Sequence, residues 1–170
     1  MFAAKGIELG RLNQSYPEIQ ADSIGEVVKY GVQAILPSEG DVLIDDSGLF
    51  IDRLGGFPGV YSSFVFKAIG CQGILKLMLG WKARDARFET CFGLRIEGET
   101  HIFFGKCEGH ITTEMRGKGG FGYDPIFIPK GQRKTFAQMT VEEKNDLSHR
   151  GRAARDVMEF LLKRSDADQP

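Results

Sequence analysis

Two adjacent carboxylates, Asp45 and Asp46, are the first residues of this sequence whose types and spacing could do chemistry. They directly follow the apolar residues 42–44, so we expect them at the end of a buried strand, where α/β folds commonly bind ligands. Because successive strand side chains point to opposite faces, we expect one acid to face a cleft while the other caps a turn with Ser47. The alternative is that both acids simply make that turn.

A glycine-rich segment, GKGGFGYDP, covers residues 117–125 and is a second candidate site. Its glycines, Gly122 among them, allow the backbone to approach a ligand closely with a positive φ. Phe121 and Tyr123 offer aromatic faces on which a flat base could stack, and Asp124 could accept a hydrogen bond from a base N–H. The alternative is a long hairpin connection. The chain contains no GxxxxGK[ST] pattern, which excludes P-loop chemistry.

Three side chains around a predicted helix start, Lys144, His149 and Arg150, form a third candidate site. Lys and Arg bind phosphate oxygens, and His can donate to or accept from the edge of a base. The alternative is that they decorate a solvated surface.

The charge of the chain nearly cancels, with 22 Lys and Arg against 23 Asp and Glu. This balance excludes a global positive field for nucleic acid or an anionic membrane. The signs are unevenly distributed, since residues 1–52 hold nine acids and three bases, whereas residues 114–155 hold nine bases and five acids. If these halves face each other across a cleft, carboxylates could hold Mg²⁺ while Lys and Arg bind a polyphosphate. The alternative is that the acidic and the basic residues simply form two solvated surfaces with no ligand between them.

The helices that must position these residues are predicted from caps and apolar spacing. A capping-box pattern at Ser23 precedes a helix predicted over residues 22–36. Residues 61–79 have apolar side chains at helical spacing. Two internal glycines, Gly70 and Gly73, would split this predicted helix in two. The last helix is expected to begin near Ser148 as its N-cap.

The strands are predicted from period-two alternation. Residues 87–104 predict a β-hairpin, with Ile111 on a third strand. Helices and strands in this order indicate an α/β or α+β architecture, and 170 residues suffice for one domain with its own core. The three cysteines lack CxxC spacing, which argues against a zinc site or a disulfide framework and fits a reducing cytoplasm.

Three long segments together resemble the inosine/xanthosine triphosphate pyrophosphatase family: LIDDSGLFIDRLGGFPGVYSSF, GGFGYDPIFIP and KTFAQMTVEEKNDLSHR. The resemblance implies an α/β fold with an elongated, two-lobed mixed sheet, flanking helices and a central cleft. It implies a cytoplasmic homodimer that uses Mg²⁺ to hydrolyse the noncanonical purine nucleotides ITP, dITP and XTP to the monophosphate and pyrophosphate, cleansing the nucleotide pool. Neither nucleic acid nor a membrane is expected as a partner.

The resemblance assigns roles residue by residue. It makes Asp46 the acid that holds Mg²⁺ or activates the attacking water, and Glu18 a second metal-associated carboxylate. Phe121 would stack on the purine, and Asp124 would contact the base. The other residues expected to bind the nucleotide are Ser47, Gly122, Tyr123, Lys144, His149 and Arg150. The last two are expected at the 6-oxo edge of the base.

The start of the chain departs from the family pattern. Members begin with a strand followed by an [ST]-x-N-x-x-K motif, whose backbone and Lys cradle the triphosphate, and the opening MFAAKGIELG contains neither. We therefore expect residues 1–170 to form a single, N-terminally short pyrophosphatase domain. The alternative function is a noncatalytic nucleotide-binding or dimerisation module that has lost the phosphate cradle.

Overall fold

The computed structural model describes residues 2–12, 19–36 and 40–167 and has the predicted mixed α/β architecture. Its strands are β1 (Val42–Ile51), β2 (Pro58–Gly59), β3 (Asp85–Ile96), β4 (Glu99–Ile111) and β5 (Phe127–Pro129). They form a sheet in the order β2-β1-β3-β4-β5, with antiparallel pairing between each of these neighbours. The helices of the described part are α1 (Ile24–Ala34), α2 (Ser62–Leu77), α3 (Val141–Leu147) and α4 (His149–Ala167). None of these described helices is both long and apolar enough to cross a membrane.

Side-chain caps fix where two of the helices begin. The predicted capping box at the start of α1 is confirmed, since the Glu26 N–H donates to Ser23 Oγ and the Ser23 N–H donates to Glu26 Oε2. The predicted N-cap of α4 is also confirmed, because Ser148 Oγ accepts a hydrogen bond from the Gly151 N–H at 3.0 Å. Each cap satisfies a backbone donor that has no partner inside its helix.

The two faces of the sheet are covered by different helices. On one face, Ile44 and Phe50 of β1 pack with the apolar side of α1. On the other face, Leu43 packs with α4, while Leu49 and Ile51 join a larger core with α2 and β5. Even-numbered β1 side chains therefore point toward α1, and odd-numbered ones point toward α2 and α4.

The prediction that Asp45 and Asp46 end a strand is wrong. They lie in the middle of β1, which pairs with β3 without interruption from Val42 opposite Arg95 to Ile51 opposite Ala86. Backbone hydrogen bonds hold this ladder together whatever the side chains are, so a polar stretch does not stop it.

Glycine at position 48 is needed within β1. A Cβ at Gly48 would lie 2.4 Å from the carbonyl oxygen of Gly59, so only glycine lets β2 approach β1 this closely. Hydrogen bonds at the same place hold the chain between β1 and α2, because Ser62 Oγ donates to the Gly59 carbonyl oxygen and accepts from the Leu49 N–H.

The predicted hairpin is confirmed as β3 and β4, joined at Glu97 and Gly98, both of which have positive φ. The prediction of a separate third strand at Ile111 is wrong, because Ile111 is the last residue of β4. Gly105 lies inside β4 at a point where the backbone of α4 approaches the strand closely. A Cβ at Gly105 would lie 2.0 Å from the His149 carbonyl oxygen. Glycine in β4 thus lets the start of α4 lie directly on the sheet.

Helix α2 is broken where the sequence predicts. Gly70 has φ 59° and ψ −166°, which is outside helical geometry, while the chain continues as helix on both sides. The break places Cys71 beneath the glycine-rich segment, where its Sγ lies 3.3 Å from the Gly122 carbonyl oxygen.

Candidate active site

The two neighbouring acids of β1 point to opposite faces of the sheet, as predicted. Asp45 and Ser47 lie on the α4 face, where both contact Arg150. Asp46 lies on the α1 face, opposite Cys91 in the β1–β3 register, and Cys91 belongs to the core beneath α1. The candidate residues therefore divide between two surfaces of the same strand.

Arg150 organises the group on the α4 face. Its Nε donates to Asp45 Oδ2 at 2.8 Å, and its Nη2 lies 2.7 Å from the same oxygen and donates to Ser47 Oγ at 3.2 Å. The Arg150 side chain is 40% exposed, so solvent screens the ion pair and its main effect is to orient the guanidinium. Arg150 can take this position because α4 begins one residue earlier, directly against β4.

Phe121 is held beside two cations. The Lys144 Nζ lies 4.5 Å from the centre of the Phe121 ring, and the Arg150 Cζ lies 5.5 Å from it. Phe121 is 65% exposed, so its ring is largely open to solvent. We call Asp45, Ser47, Phe121, Lys144 and Arg150 the Arg150 cluster.

Asp124 ties the glycine-rich segment to α3. Its Oδ2 accepts from the Phe121 N–H at 2.8 Å and from Lys144 Nζ at 2.5 Å, and its side chain is only 3% exposed. A carboxylate buried this deeply needs such partners. Asp124 therefore sets the positions of Phe121 and Lys144, and its contact with a base stays a prediction.

Tyr123 does not offer the free stacking face that the sequence predicts. Its ring is 4% exposed, packs edge-on against Phe66 at 5.2 Å, and its hydroxyl donates to the Ser62 carbonyl oxygen at 3.0 Å. Burial of this kind is the usual state of an aromatic residue next to an apolar core. Next to it, Gly122 has φ 58°, which brings the segment over α2.

His149 is buried and uncharged at neutral pH. Its ring is 6% exposed, stacks on Phe88 at 4.7 Å with an interplanar angle of 7°, and its Nδ1 has no hydrogen-bond partner. Burial, with smaller contributions from the cations of Arg150 and Lys144, lowers the pKa of His149 to about 3. A neutral imidazole has one donor and one acceptor, so it can discriminate between groups on a ligand.

This burial predicts an acid-sensitive stability. The folded pKa of His149 is below its unfolded value of 6.5, so the unfolded chain takes up the proton first and stability falls as pH falls below about 6.5. We expect the free energy of unfolding to drop by about 2 kcal/mol between pH 7 and pH 5 from this residue alone. Urea denaturation at several pH values measures it.

The matched variants are His149→Gln and His110→Gln, since His110 is exposed. The first is expected to flatten the pH dependence between pH 7 and pH 5, and the second to leave it unchanged. Equal slopes in both variants would contradict the assignment to His149.

Of the two carboxylates predicted to hold a metal, Asp46 lies in the described part of the chain. Glu18, predicted as a metal-associated carboxylate, lies outside the described residues, and within those residues no three His, Cys, Asp or Glu side chains are grouped as metal ligands. Asp46 is partly exposed on the α1 face, and its Oδ1 accepts from the Ser47 N–H at 2.8 Å. One or two carboxylates plus substrate phosphates are the usual ligands of Mg²⁺, so the donor chemistry of Asp46 fits.

Sequence reasoning missed one polar residue of this region, Thr90. It is fully buried on β3, opposite Ser47, and the two hydroxyls are hydrogen-bonded at 2.7 Å. The available signal was its position: Thr90 occupies an inward place between Phe88 and Phe92 in the alternating row that predicts β3. A buried hydroxyl in an apolar row requires a partner.

Comparisons with known proteins identify the family of this chain and several of its relatives. A family model described as Ham1 family matches residues 1–160. The dITP/XTP pyrophosphatase of Thermococcus kodakarensis is 53% identical over 161 residues, covering 94% of this chain and 87% of that protein. The dITP/XTP pyrophosphatase of Pyrococcus horikoshii is 52% identical over 160 residues, covering 92% and 84%.

A solved structure shows the same fold. The Staphylococcus aureus Ham1 protein superposes with a TM-score of 0.82 at 29% identity, covering 89% of this chain and 82% of that one. Since the family model spans nearly the whole chain and two relatives share about half of its residues, the chain belongs to the Ham1 family.

Proposed function

We propose that this protein hydrolyses noncanonical purine nucleoside triphosphates, ITP, dITP and XTP, to the monophosphate and pyrophosphate. The observation that carries the proposal is the Arg150 cluster, which places an exposed aromatic ring beside two cations. Relatives named dITP/XTP pyrophosphatase at 53% and 52% identity support the substrate class. The physiological consequence would be removal of damaged purines from the nucleotide pool.

The base would bind at the Arg150 cluster. Phe121 offers an exposed face for stacking, a contact worth about 1–3 kcal/mol per base. Arg150 and neutral His149 would meet the oxygen at purine C6, and Lys144 lies next to the same ring. This assignment uses the groups that the structure already holds in fixed orientations.

The bond between the α- and β-phosphates would be cleaved at Asp46, which lies on the other face of β1. Asp46 would orient or deprotonate the attacking water there, and with Glu18 it would hold Mg²⁺. When bound, Mg²⁺ would neutralise phosphate charge and acidify a bound water. The Ser47 N–H donates to Oδ1 of the Asp46 carboxylate, which helps to orient this group.

Location, assembly and domain extent are part of the same proposal. Three buried free cysteines, Cys71, Cys91 and Cys107, support a reducing compartment such as the cytoplasm. A near-neutral net charge supports a small-molecule substrate over nucleic acid. A homodimer of one domain over residues 1–170 follows from the family resemblance, and light scattering during gel filtration measures it.

The test is product analysis with ITP in the presence and absence of Mg²⁺. We expect IMP and pyrophosphate in a one-to-one ratio with Mg²⁺, and no turnover after chelation. Binding of ITP without any product would favour the alternative, a noncatalytic nucleotide-binding module. Release of IDP and orthophosphate would show that the proposed cleavage position is wrong.

A further inference from the structure

A directed chain of hydrogen bonds runs from the Arg150 cluster into the sheet. Arg150 Nη2 donates to Ser47 Oγ at 3.2 Å, Ser47 Oγ donates to Thr90 Oγ1 at 2.7 Å, and Thr90 Oγ1 donates to the Asp46 carbonyl oxygen at 2.9 Å. Each hydroxyl accepts one hydrogen bond and donates one. Thr90, at the inner end of the two hydroxyls, is completely buried.

The direction of the chain decides what Ser47 can do. A serine hydroxyl has a single proton, and here it is committed to Thr90. The Ser47 lone pairs are therefore available to the guanidinium, which has donors and no acceptor. Without the Thr90 oxygen, the Ser47 proton would lose its acceptor and the Ser47 side chain could change rotamer, which would weaken the second contact that orients Arg150.

Thr90 is rigid enough for this task. As a β-branched residue in a strand it has a restricted χ1, and its hydroxyl is tied to the backbone of β1. Thr90 on β3 thus holds the Ser47 hydroxyl, and Ser47 in turn accepts from Nη2 of Arg150. Asp45 holds the guanidinium from the same face of the sheet.

We propose that Thr90 is a positioning residue for base recognition, acting on Arg150 through Ser47. The proposal rests on the proposed function in one respect, that Arg150 reads the purine edge. Because Thr90 is completely buried, it would touch neither the base nor the phosphates, so its removal should weaken recognition of the base and leave the chemical step intact.

The test compares Thr90→Val, which keeps the shape and removes the hydroxyl, with Thr90→Ser, which keeps the hydroxyl. We expect Thr90→Val to raise the KM for ITP about fivefold to tenfold, to lower the ITP-to-ATP ratio of kcat/KM by a similar factor, and to change kcat less than twofold. Thr90→Ser should remain within about twofold of the wild type in all three, because one hydroxyl of the same geometry suffices.

Thr112→Val is the matched control. Thr112 is also a buried threonine, but its hydroxyl donates to the carbonyl oxygens of Glu114 and Ile126, away from Arg150. A merely structural role for Thr90 would make the two valine variants alike: both would melt earlier with an unchanged ITP-to-ATP ratio. That result would overturn the proposal.

A second measurement does not depend on activity. The ¹⁵N-resolved Nη2–H signal of Arg150, assigned with Arg150→Lys, reports how firmly the nitrogen that donates to Ser47 is held. We expect its hydrogen exchange to accelerate about threefold to tenfold in Thr90→Val and to stay unchanged in Thr90→Ser and Thr112→Val. Unchanged exchange in Thr90→Val would overturn the positioning role. A wild-type protein inactive toward ITP would refute only the proposed function, since this signal would still test the positioning.

Discussion

Replacement of Asp46 by Asn is expected to lower the kcat for ITP hydrolysis by about 10²- to 10⁴-fold while leaving the fold intact. The carboxylate is the group that would orient or deprotonate water and bind Mg²⁺, and an amide does neither well. Asparagine has the same shape, and its carbonyl oxygen can still accept from the Ser47 N–H. Pyrophosphate release measures kcat, and circular dichroism with a melting curve measures the fold.

The neighbouring acid gives the sharpest comparison. Asp45→Asn makes the same chemical change one residue away, on the α4 face, where it weakens the ion pair with Arg150. It should therefore raise KM and change kcat little. Asp85→Asn, at an exposed position of β3, is the control with no expected effect. If Asp46→Asn turns over ITP as fast as the wild type, Asp46 has no part in the mechanism.

Local signals predict much of this fold. The capping box at Ser23, the break at Gly70 and the β3–β4 hairpin each depend on a few neighbouring residues, because caps, glycine φ values and period-two alternation act over short distances. The strand end at Asp45 was mispredicted for the same reason. Continuation of β1 depends on its ladder with β3, more than forty residues later, which local polarity does not report.

The site depends still more on long-range contacts. Alternation predicts that Asp45 and Asp46 diverge, but which one meets Arg150 is decided by helix α4, 105 residues away along the chain. The same holds for His149, whose burial comes from Phe88, and for Asp124, whose carboxylate is taken by Lys144. The residue types at the site could be predicted from the sequence, whereas the structure was needed to show which residues lie on the α4 face of the sheet and which on the α1 face.

The second large effect expected is discrimination between ITP and ATP. Arg150 has only donors, and Asp45 and Ser47 hold it so that its direction is fixed. An oxygen at purine C6 accepts from such donors, whereas the amino group of adenine opposes a donor with a donor. A donor that the bound base covers and leaves unsatisfied costs about 1–3 kcal/mol, so we expect kcat/KM for ITP to exceed that for ATP by roughly tenfold to a hundredfold per mismatch.

Arg150→Gln tests the origin of this preference, because a glutamine amide both donates and accepts and can pair with either base edge. We expect the ITP-to-ATP ratio of kcat/KM to fall at least tenfold, mainly through a higher KM for ITP. Arg152→Gln is the matched control: it makes the same change on the same helix, where the guanidinium donates to the Lys106 carbonyl oxygen, and it should leave the ratio unchanged. Comparable kcat/KM for ATP and ITP in the wild-type protein would mean that the Arg150 cluster does not read the purine 6-position, because fixed donors cannot satisfy both an oxygen and an amino group there.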